Sequence, residues 1–281
     1  MRITISDKPS NSRGLVLLAP SLSAVPEAFT KASLDAERHE KLMSEMQRLR
    51  GAVYLEDGAI NADQLTSDGR HHLDVDARSW HLLTLDEQGS VCGCSRLRLH
   101  SNFVSYWELG VAKSALANSS SWGKLLQAAV DSEISLARKL QVGFAEVGGW
   151  ALARERRCTI EAMRIALGTY SLANLLGEAV CVTTATVRNC SSSILKRLGG
   201  LPMDVAGFFL PKYHDPQYNC EMEILRFDSR YPAERFADGI RGIRQQMIDA
   251  RVICSTAFSN SSMPAVRFSP RSAAAPVASA A

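Results

Sequence analysis

The sequence predicts a mixed α/β domain, and three observations carry that prediction. Apolar runs of strand length alternate with stretches whose apolar residues recur at three- and four-residue steps. Clusters of Asp, Asn, Gly and Ser separate them. With 46% hydrophobic residues in 281, the chain can bury a substantial core.

The stretch 141–176 organises the rest. Val142, Phe144, Val147, Trp150 and Leu152 make residues 141–152 an apolar strand, with one carboxylate, Glu146, inside it. Gly148-Gly149 marks a bulge or a close approach by another backbone or a ligand. A basic turn follows, with Arg154, Arg156 and Arg157, and then Thr159, a residue suited to capping a helix. Met163, Ala166, Leu167, Tyr170 and Ala173 then share one helical face. A helix start offers free N–H groups and the positive end of a dipole, and arginines beside it favour an anion. The unit is expected to hold a pyrophosphate or a phosphopantetheine, with Glu146 as a nearby base.

Taken in order, residues 1–27 read as a loosely attached extension, with Leu15, Val16, Leu17 and Leu18 as an added strand or a lid. Residues 28–50 suit a helix through Leu34, His39, Leu42, Met46 and Leu49. Residues 80–85 and 90–99 are strands joined by the hairpin turn Asp86-Glu87-Gln88-Gly89. Residues 101–121 have no clear periodicity. Residues 122–140 form a helix, with Leu126, Ala129, Val130, Ile134 and Ala137 on one face. Beyond the central unit, 178–187 is a Val- and Thr-rich strand, and 191–198 is a short helix stopped by Gly199-Gly200. Residues 208–210 and 222–227 are further strands. Residues 231–254 read as a last helix, packed on the domain (28–230) or on a second copy in a homodimer. Residues 255–281 are Ser-, Ala- and Pro-rich and predict disorder.

Composition narrows the function. A net charge of +3 does not suit a nucleic-acid binder, which carries a basic face. No apolar run approaches membrane-spanning length. The short apolar run at Leu15 is a poor signal core, given Asp7 and the polar residues before it. Seven scattered cysteines suit a reduced, cytoplasmic protein better than a disulfide framework. Cys190, near Arg188, is either an activated thiol or, more in keeping with cysteine's usual place, buried and inert. Cys92-Gly93-Cys94 and His71-His72 lack metal-ligand spacing, so no metal is expected.

The order of strands, basic turn and helices resembles the acetyltransferase-like (GNAT) fold, a mixed central sheet with splayed central strands flanked by helices. In that fold a strand equivalent to 141–152 diverges from its neighbour, and the donor's pantetheine lies in the gap. Asn189 followed by Ser193 to Gly200 looks like its second motif, an asparagine starting a short helix that ends in Leu-Gly. A closer resemblance lies in Arg50-Gly51-Ala52-Val53-Tyr54, Asp74 and Asp76, Trp80-His81-Leu82-Leu83, Gly93-Cys94-Ser95-Arg96-Leu97, and Glu146 with Trp150. These look like the acyl-homoserine lactone (autoinducer) synthases and the long-chain N-acyl amino acid synthases, over roughly residues 35–228.

The resemblance implies an enzyme, an N-acyltransferase with no permanently bound cofactor. Its co-substrate would be an acyl-phosphopantetheine thioester, on acyl carrier protein or CoA, and its acceptor the amine of an amino acid. Lactone synthesis from S-adenosylmethionine is the alternative; a non-catalytic thioester- or carrier-binding protein is a third. The lactone synthases carry arginine where Gly149 stands, which favours the amino acid branch. Ordinary CoA acetyltransferases have a Gly-rich turn in place of 154–158 and a tyrosine in place of Lys196, which makes a pantetheine arm a firmer expectation than a CoA nucleotide.

Acyl transfer to an amine requires that the amine lose a proton, that the thioester oxygen be stabilised and that the two be held together. Glu146 is expected to take the proton, its apolar neighbours raising its pKa toward neutral; the competing role is a structural acid paired with arginine. Backbone N–H groups at Trp150 are expected to hold the oxyanion. Arg50, Asp74, Asp76 and Arg96 form either an amine pocket, an Asp holding the ammonium and Arg96 the carboxylate, or a structural ion network. Arg154, Arg156 and Arg157, with the helix start at Thr159, are expected to grip the donor phosphate or a carrier protein's acidic face, unless they are a solvated turn. Phe144, Trp150, Tyr170 and Phe208 are candidates for an acyl tunnel, or core packing.

Overall fold

A computed structural model describes residues 14–21 and 23–256. In chain order the elements are β1 (Leu15–Leu18), β2 (Lys31–Leu34), α1 (Ala36–Glu56), β3 (Trp80–Leu85), β4 (Val91–His100), α2 (Gly123–Leu140) and β5 (Gly143–Leu152). There follow α3 (Ile160–Leu175), β6 (Ala179–Thr186), α4 (Ser191–Leu198), β7 (Leu201–Pro202), β8 (Asp204–Val205) and β9 (Phe208–Phe209). The last are β10 (Tyr213–Asp215), β11 (Cys220–Asp228), α5 (Ala237–Ile248) and β12 (Arg251–Cys254).

One large mixed sheet runs β10-β11-β6-β5-β4-β3-β1-β12-β2, with β7 also on β11, while β8 and β9 form a separate hairpin. Helices cover both faces. On one side α3 and α5 close a core of Leu17, Leu82, Leu97, Ala145, Tyr170 and Phe227. On the other, α2 packs over Phe144, Val180 and Ile224, and α1 over Leu18, Leu83 and Ala151. The expected mixed sheet flanked by helices is the observed one.

Local sequence explains the elements nearest the cleft. Asp35 caps α1 by accepting from the Arg38 N–H at 3.0 Å. Thr159 does the same for α3, accepting from the Glu161 N–H at 3.2 Å. Gly199, at φ 118°, ends α4 in the left-handed conformation that glycine adopts without penalty. In the β3–β4 hairpin, the Asp86 carboxylate accepts from the N–H groups of Gln88 and Ser90, both at 2.9 Å.

Three expectations need correction. The helix expected at 28–50 begins at Ala36 and continues to Glu56; Lys31–Leu34 is instead an edge strand, paired in parallel with β12. The helix expected over 231–254 stops at Ile248, and Arg251–Cys254 enters the sheet between β1 and β2. Val252 and Ile253 are fully buried there, and strand geometry lets both faces of the sheet take up their β-branched side chains. Leu15–Leu18 is a strand, but an interior one, buried at every residue between β3 and β12, so this part of the N-terminal stretch is not loosely attached. Residues 1–13 and the expected disorder at 257–281 lie outside the described residues. The amphipathic α5 packs on α3 of its own chain through Ile240, Ile243 and Met247. Among the described residues no helix is long and apolar enough to cross a membrane.

Candidate active site

Parallel pairing of β5 with β6 begins at Gly143 with Ala179 and ends at Val147 with Thr183. Beyond that point both strands continue, unpaired with each other. β4 stays paired to β5 but slips register between Cys94 and Arg96, which face Ala151 and Gly148. Gly149 and Trp150 thus oppose Ser95 alone, the bulge foreseen at the paired glycines. Gly149 has φ 62°, and a Cβ there would stand 3.1 Å from the Arg96 Cβ, so both backbone and space call for glycine. Cys94 donates its S–H to the Gly149 carbonyl at 3.3 Å, and the Tyr54 hydroxyl donates to the Trp150 carbonyl at 3.3 Å.

The gap opens into a cleft of about 1040 Å³ that passes through the sheet. On the α3 and α4 side its wall is apolar, with Met163, Ala166, Tyr170, Ile194, Leu195 and Phe227. On the other side it is polar, with Asp74, Arg96, Arg98, Glu146, Tyr213 and Tyr218. The Trp150 indole N–H and the Tyr170 hydroxyl are buried without a hydrogen-bond partner among the described residues, and both residues line the cleft. Of the four tunnel candidates, Trp150 and Tyr170 are therefore at the cleft. Phe144 is buried under α2, and Phe208 is exposed on the β8–β9 hairpin.

Glu146 lies on the polar wall. Its Oε1 accepts from the Val111 N–H at 3.1 Å, and its Oε2 is 3.2 Å from His100 Nε2 and 3.9 Å from Arg98. The expected rise in its pKa is overturned. Burial does push the carboxyl up, but the His100 hydrogen bond and charge, with the N–H groups of Val111 and Gly110, outweigh it and hold Glu146 below its ordinary value. The apolar neighbours seen in sequence were those of its own strand; the groups that set its charge come from β4 and from the 110–111 turn. His100 stands behind Glu146 rather than on the cleft wall.

The residues expected in the amine pocket separate into two sets. Arg96 and Asp74 line the cleft, Asp74 with its side chain nearly fully exposed. Arg50 and Asp76 are sealed beneath it. Arg50 donates to both Asp76 oxygens, at 3.0 and 2.6 Å, and to the His71 carbonyl. Asp76 also accepts from Gln47 at 3.1 Å, the Leu73 N–H at 3.3 Å and Arg96 at 3.4 Å. Arg50 and Asp76 therefore hold Arg96 in place from behind. Burial alone would raise the Asp76 pKa, yet the Arg50 hydrogen bonds and charge, with His81 and Arg96, hold it far below the carboxylate range.

This network predicts acid sensitivity. Burial, reinforced by the charges of Arg50 and Arg96, lowers both His71 and His81 to about 4, His81 while it donates to the Asp76 carbonyl at 2.9 Å. Both rings are neutral in the fold at pH 5, whereas unfolded histidine takes up a proton below about 6.5. Stability should be intact above that value and fall by about 1.4 kcal/mol per pH unit per histidine down to about pH 4. Urea denaturation at pH 7, 5.5 and 4.5 reads this directly, and H81Q should reduce the slope by about 1.4 kcal/mol per pH unit, the share of one ring; a slope unchanged in H81Q would mean that the folded His81 ring is protonated.

At the open end of the cleft, the basic turn is already engaged. Arg154 pairs with Glu56 at 3.3 Å, and Arg157 with Asp57 at 3.0 Å and Glu56 at 3.5 Å. Thr159 donates its hydroxyl to the Arg156 carbonyl at 2.7 Å while capping α3. Arg156 is half-buried, its Nε without a hydrogen-bond partner among the described residues. Lys196 is held by Glu223 at 2.9 Å. Cys190, more readily expected to be buried, is exposed at the cleft mouth with φ 60°, and so is Cys158 at φ 56°.

Sequence reasoning missed His100, Arg98, Tyr218 and Asp57, and gave Tyr54 no role beyond its place in the Arg50–Tyr54 motif. One signal was available: Arg96, Arg98 and His100 alternate along a single strand, so they form a basic stripe on one face. Arg98 lies directly opposite Glu146 in the β4–β5 register.

No protein-family model matches the chain, and no curated protein matches it in sequence. Among solved structures it is similar to a CoA-dependent acyl-homoserine lactone synthase, BjaI, with SAM and isopentyl-CoA. The identity is 14%, over 90% of this chain and 97% of that one, with a TM-score of 0.49. It is also similar to the AHL synthase LasI, at 20% identity over 68% and 84% of the two chains with a TM-score of 0.41. A third is FeeM, an N-acyl amino acid synthase from uncultured soil microbes, at 12% identity over 70% and 88% with a TM-score of 0.44.

Proposed function

We propose that the chain is an N-acyltransferase that moves a fatty acyl group from a carrier-protein or CoA thioester to the amine of an amino acid. The observation that carries this reading is the gap between β5 and β6, apolar on one side, polar on the other, with Glu146 beside it. A slender pantetheine arm would lie in the gap, the acyl chain among Met163, Ala166 and Phe227, and the amino acid against Arg96 and Asp74.

In this reading the amine nitrogen attacks the thioester carbon. The C–N bond forms, the C–S bond breaks, and the donor leaves as its thiolate. Glu146 accepts the amine's proton, which then returns to the sulfur. The Trp150 N–H would meet the thioester oxygen: a trans peptide sets N–H opposite C=O, and the Gly149 carbonyl of that peptide is taken up by Cys94. An amino acid is favoured over S-adenosylmethionine because glycine, not arginine, stands at position 149, where a φ of 62° and the Arg96 Cβ, 3.1 Å from a Cβ placed there, strain any side chain.

The test is direct. Purified full-length protein with decanoyl carrier protein or decanoyl-CoA, each amino acid in turn, and S-adenosylmethionine should yield an N-acyl amino acid by mass spectrometry. A lactone formed only with S-adenosylmethionine would select the alternative. Tight carrier-protein binding with no product from any acceptor would make it a binding protein.

A further inference from the structure

Where β5 and β6 have come apart, something bridges their far ends. Asp57, the residue that closes α1, reaches into the mouth of the cleft. Its Oδ1 accepts from Arg157, just past β5, at 3.0 Å, and its Oδ2 from the Asn189 side chain, just past β6, at 3.0 Å. Its backbone carbonyl accepts from Arg188. A carboxylate thus sits among two guanidinium groups and an amide, the donors a phosphate would use. Glu56 adds a second acid on the same arginines.

The charges at this mouth nearly cancel. Arg154, Arg157 and Arg188 face Glu56 and Asp57, leaving one net positive charge. Carrier-bound phosphopantetheine brings a single phosphodiester, which that charge balances. A CoA nucleotide brings a diphosphate and a ribose phosphate, which would crowd the same arginines beside the Asp57 carboxylate. At the α3 start Thr159 takes up one of the first-turn N–H groups, that of Glu161.

We propose that Asp57 is a donor-selecting residue: it occupies the phosphate seat at the mouth of the cleft and so restricts the site to a single-phosphate arm, favouring carrier-protein thioesters over CoA thioesters. The proposal rests on the acyl-transfer reading above and names the donor for it.

The experiment measures binding and turnover separately. CoA and the methyl phosphodiester of 4′-phosphopantetheine are titrated calorimetrically into the chain, its D57N variant, which removes the charge in the seat while keeping an acceptor for Arg157, and E56Q, which removes an equal charge outside the seat. D57N should bind CoA about tenfold more tightly than the native chain and E56Q less than about threefold more tightly, with the phosphodiester little changed in either. Turnover should follow, the kcat/KM ratio of decanoyl-CoA to decanoyl carrier protein rising in D57N. CoA binding by D57N that is undetectable, unchanged or weaker, or an equal gain in E56Q, overturns the assignment. If CoA binding tightens in D57N while no variant forms product from either thioester, the seat stands and the acyl-transfer reading falls. Circular dichroism of each variant confirms that it is folded.

Discussion

Replacing Glu146 by Gln should lower kcat for acyl transfer by about 10²- to 10⁴-fold, the range that a positioned general base contributes. Glutamine keeps the shape and can still accept from the Val111 N–H through its amide oxygen, so the 110–111 turn should stay in place. What disappears is the negative charge and the lone pair that takes the amine's proton. The pH profile gives a second, sharper readout. With its pKa lowered, Glu146 is ionised throughout the neutral range, so activity due to it is present above that pKa and lost only as the pH falls through it. With folding confirmed by circular dichroism at each pH, the acid limb should therefore lie below the ordinary carboxylate value of about 4.3, not near neutrality, and should vanish in E146Q. Activity within twofold of the native level in that variant would return Glu146 to a structural role, an acid holding His100 and the 110–111 turn. H100Q separates the two further. It leaves the carboxylate in place but removes a group that holds its pKa down, so it should move the acid limb upward more than it reduces the maximal rate.

How far the sequence could take this reading depends on where each feature's causes lie along the chain. The β5–α3 unit was legible because its signals are local: apolar residues bracketing Glu146, paired glycines, and Thr159 two positions before the N–H it caps. The bulge followed from Gly148-Gly149 alone. β12 was not legible, because the helical spacing of Phe236, Ile240, Ile243 and Met247 runs on with no glycine or proline to stop it at Ile248. What makes 251–254 a strand is the slot between Leu15–Leu18 and Lys31–Leu34, more than 200 residues earlier in the chain. The charge state of Glu146 is of the same kind, set by His100 and Val111, 46 and 35 residues away. Sequence placed Arg50, Asp74, Asp76 and Arg96 in one group; it could not say that two of them are sealed under the cleft while two face it. That distinction is burial, and burial belongs to the sheet as a whole.

The buried pair carries the largest expected stability effect. Arg50 has no exposed surface, and its guanidinium meets Asp76 through two parallel hydrogen bonds. Replacing it with Met preserves much of the volume but leaves the Asp76 carboxylate, only 1% exposed, with Gln47, the Leu73 N–H and a distant Arg96 as its donors. Breaking a buried ion pair from one side costs about 3–5 kcal/mol, because the remaining charge stays desolvated. R50M should therefore lose that much in urea denaturation, and D76N, which keeps a polar group for Gln47, should lose less. The double variant R50M/D76N should be more stable than the sum of the two losses predicts, since neither charge is then stranded. Strict additivity would mean that the two residues act independently, and a loss below about 1 kcal/mol in R50M would mean that the pair is better hydrated than its burial implies. The consequence for the site follows from the shared partner. Arg96 reaches Asp76 from the cleft wall, so once the carboxylate loses Arg50 it should draw Arg96 inward. Acceptor KM should then rise in R50M at temperatures where the variant is still folded, while donor KM holds.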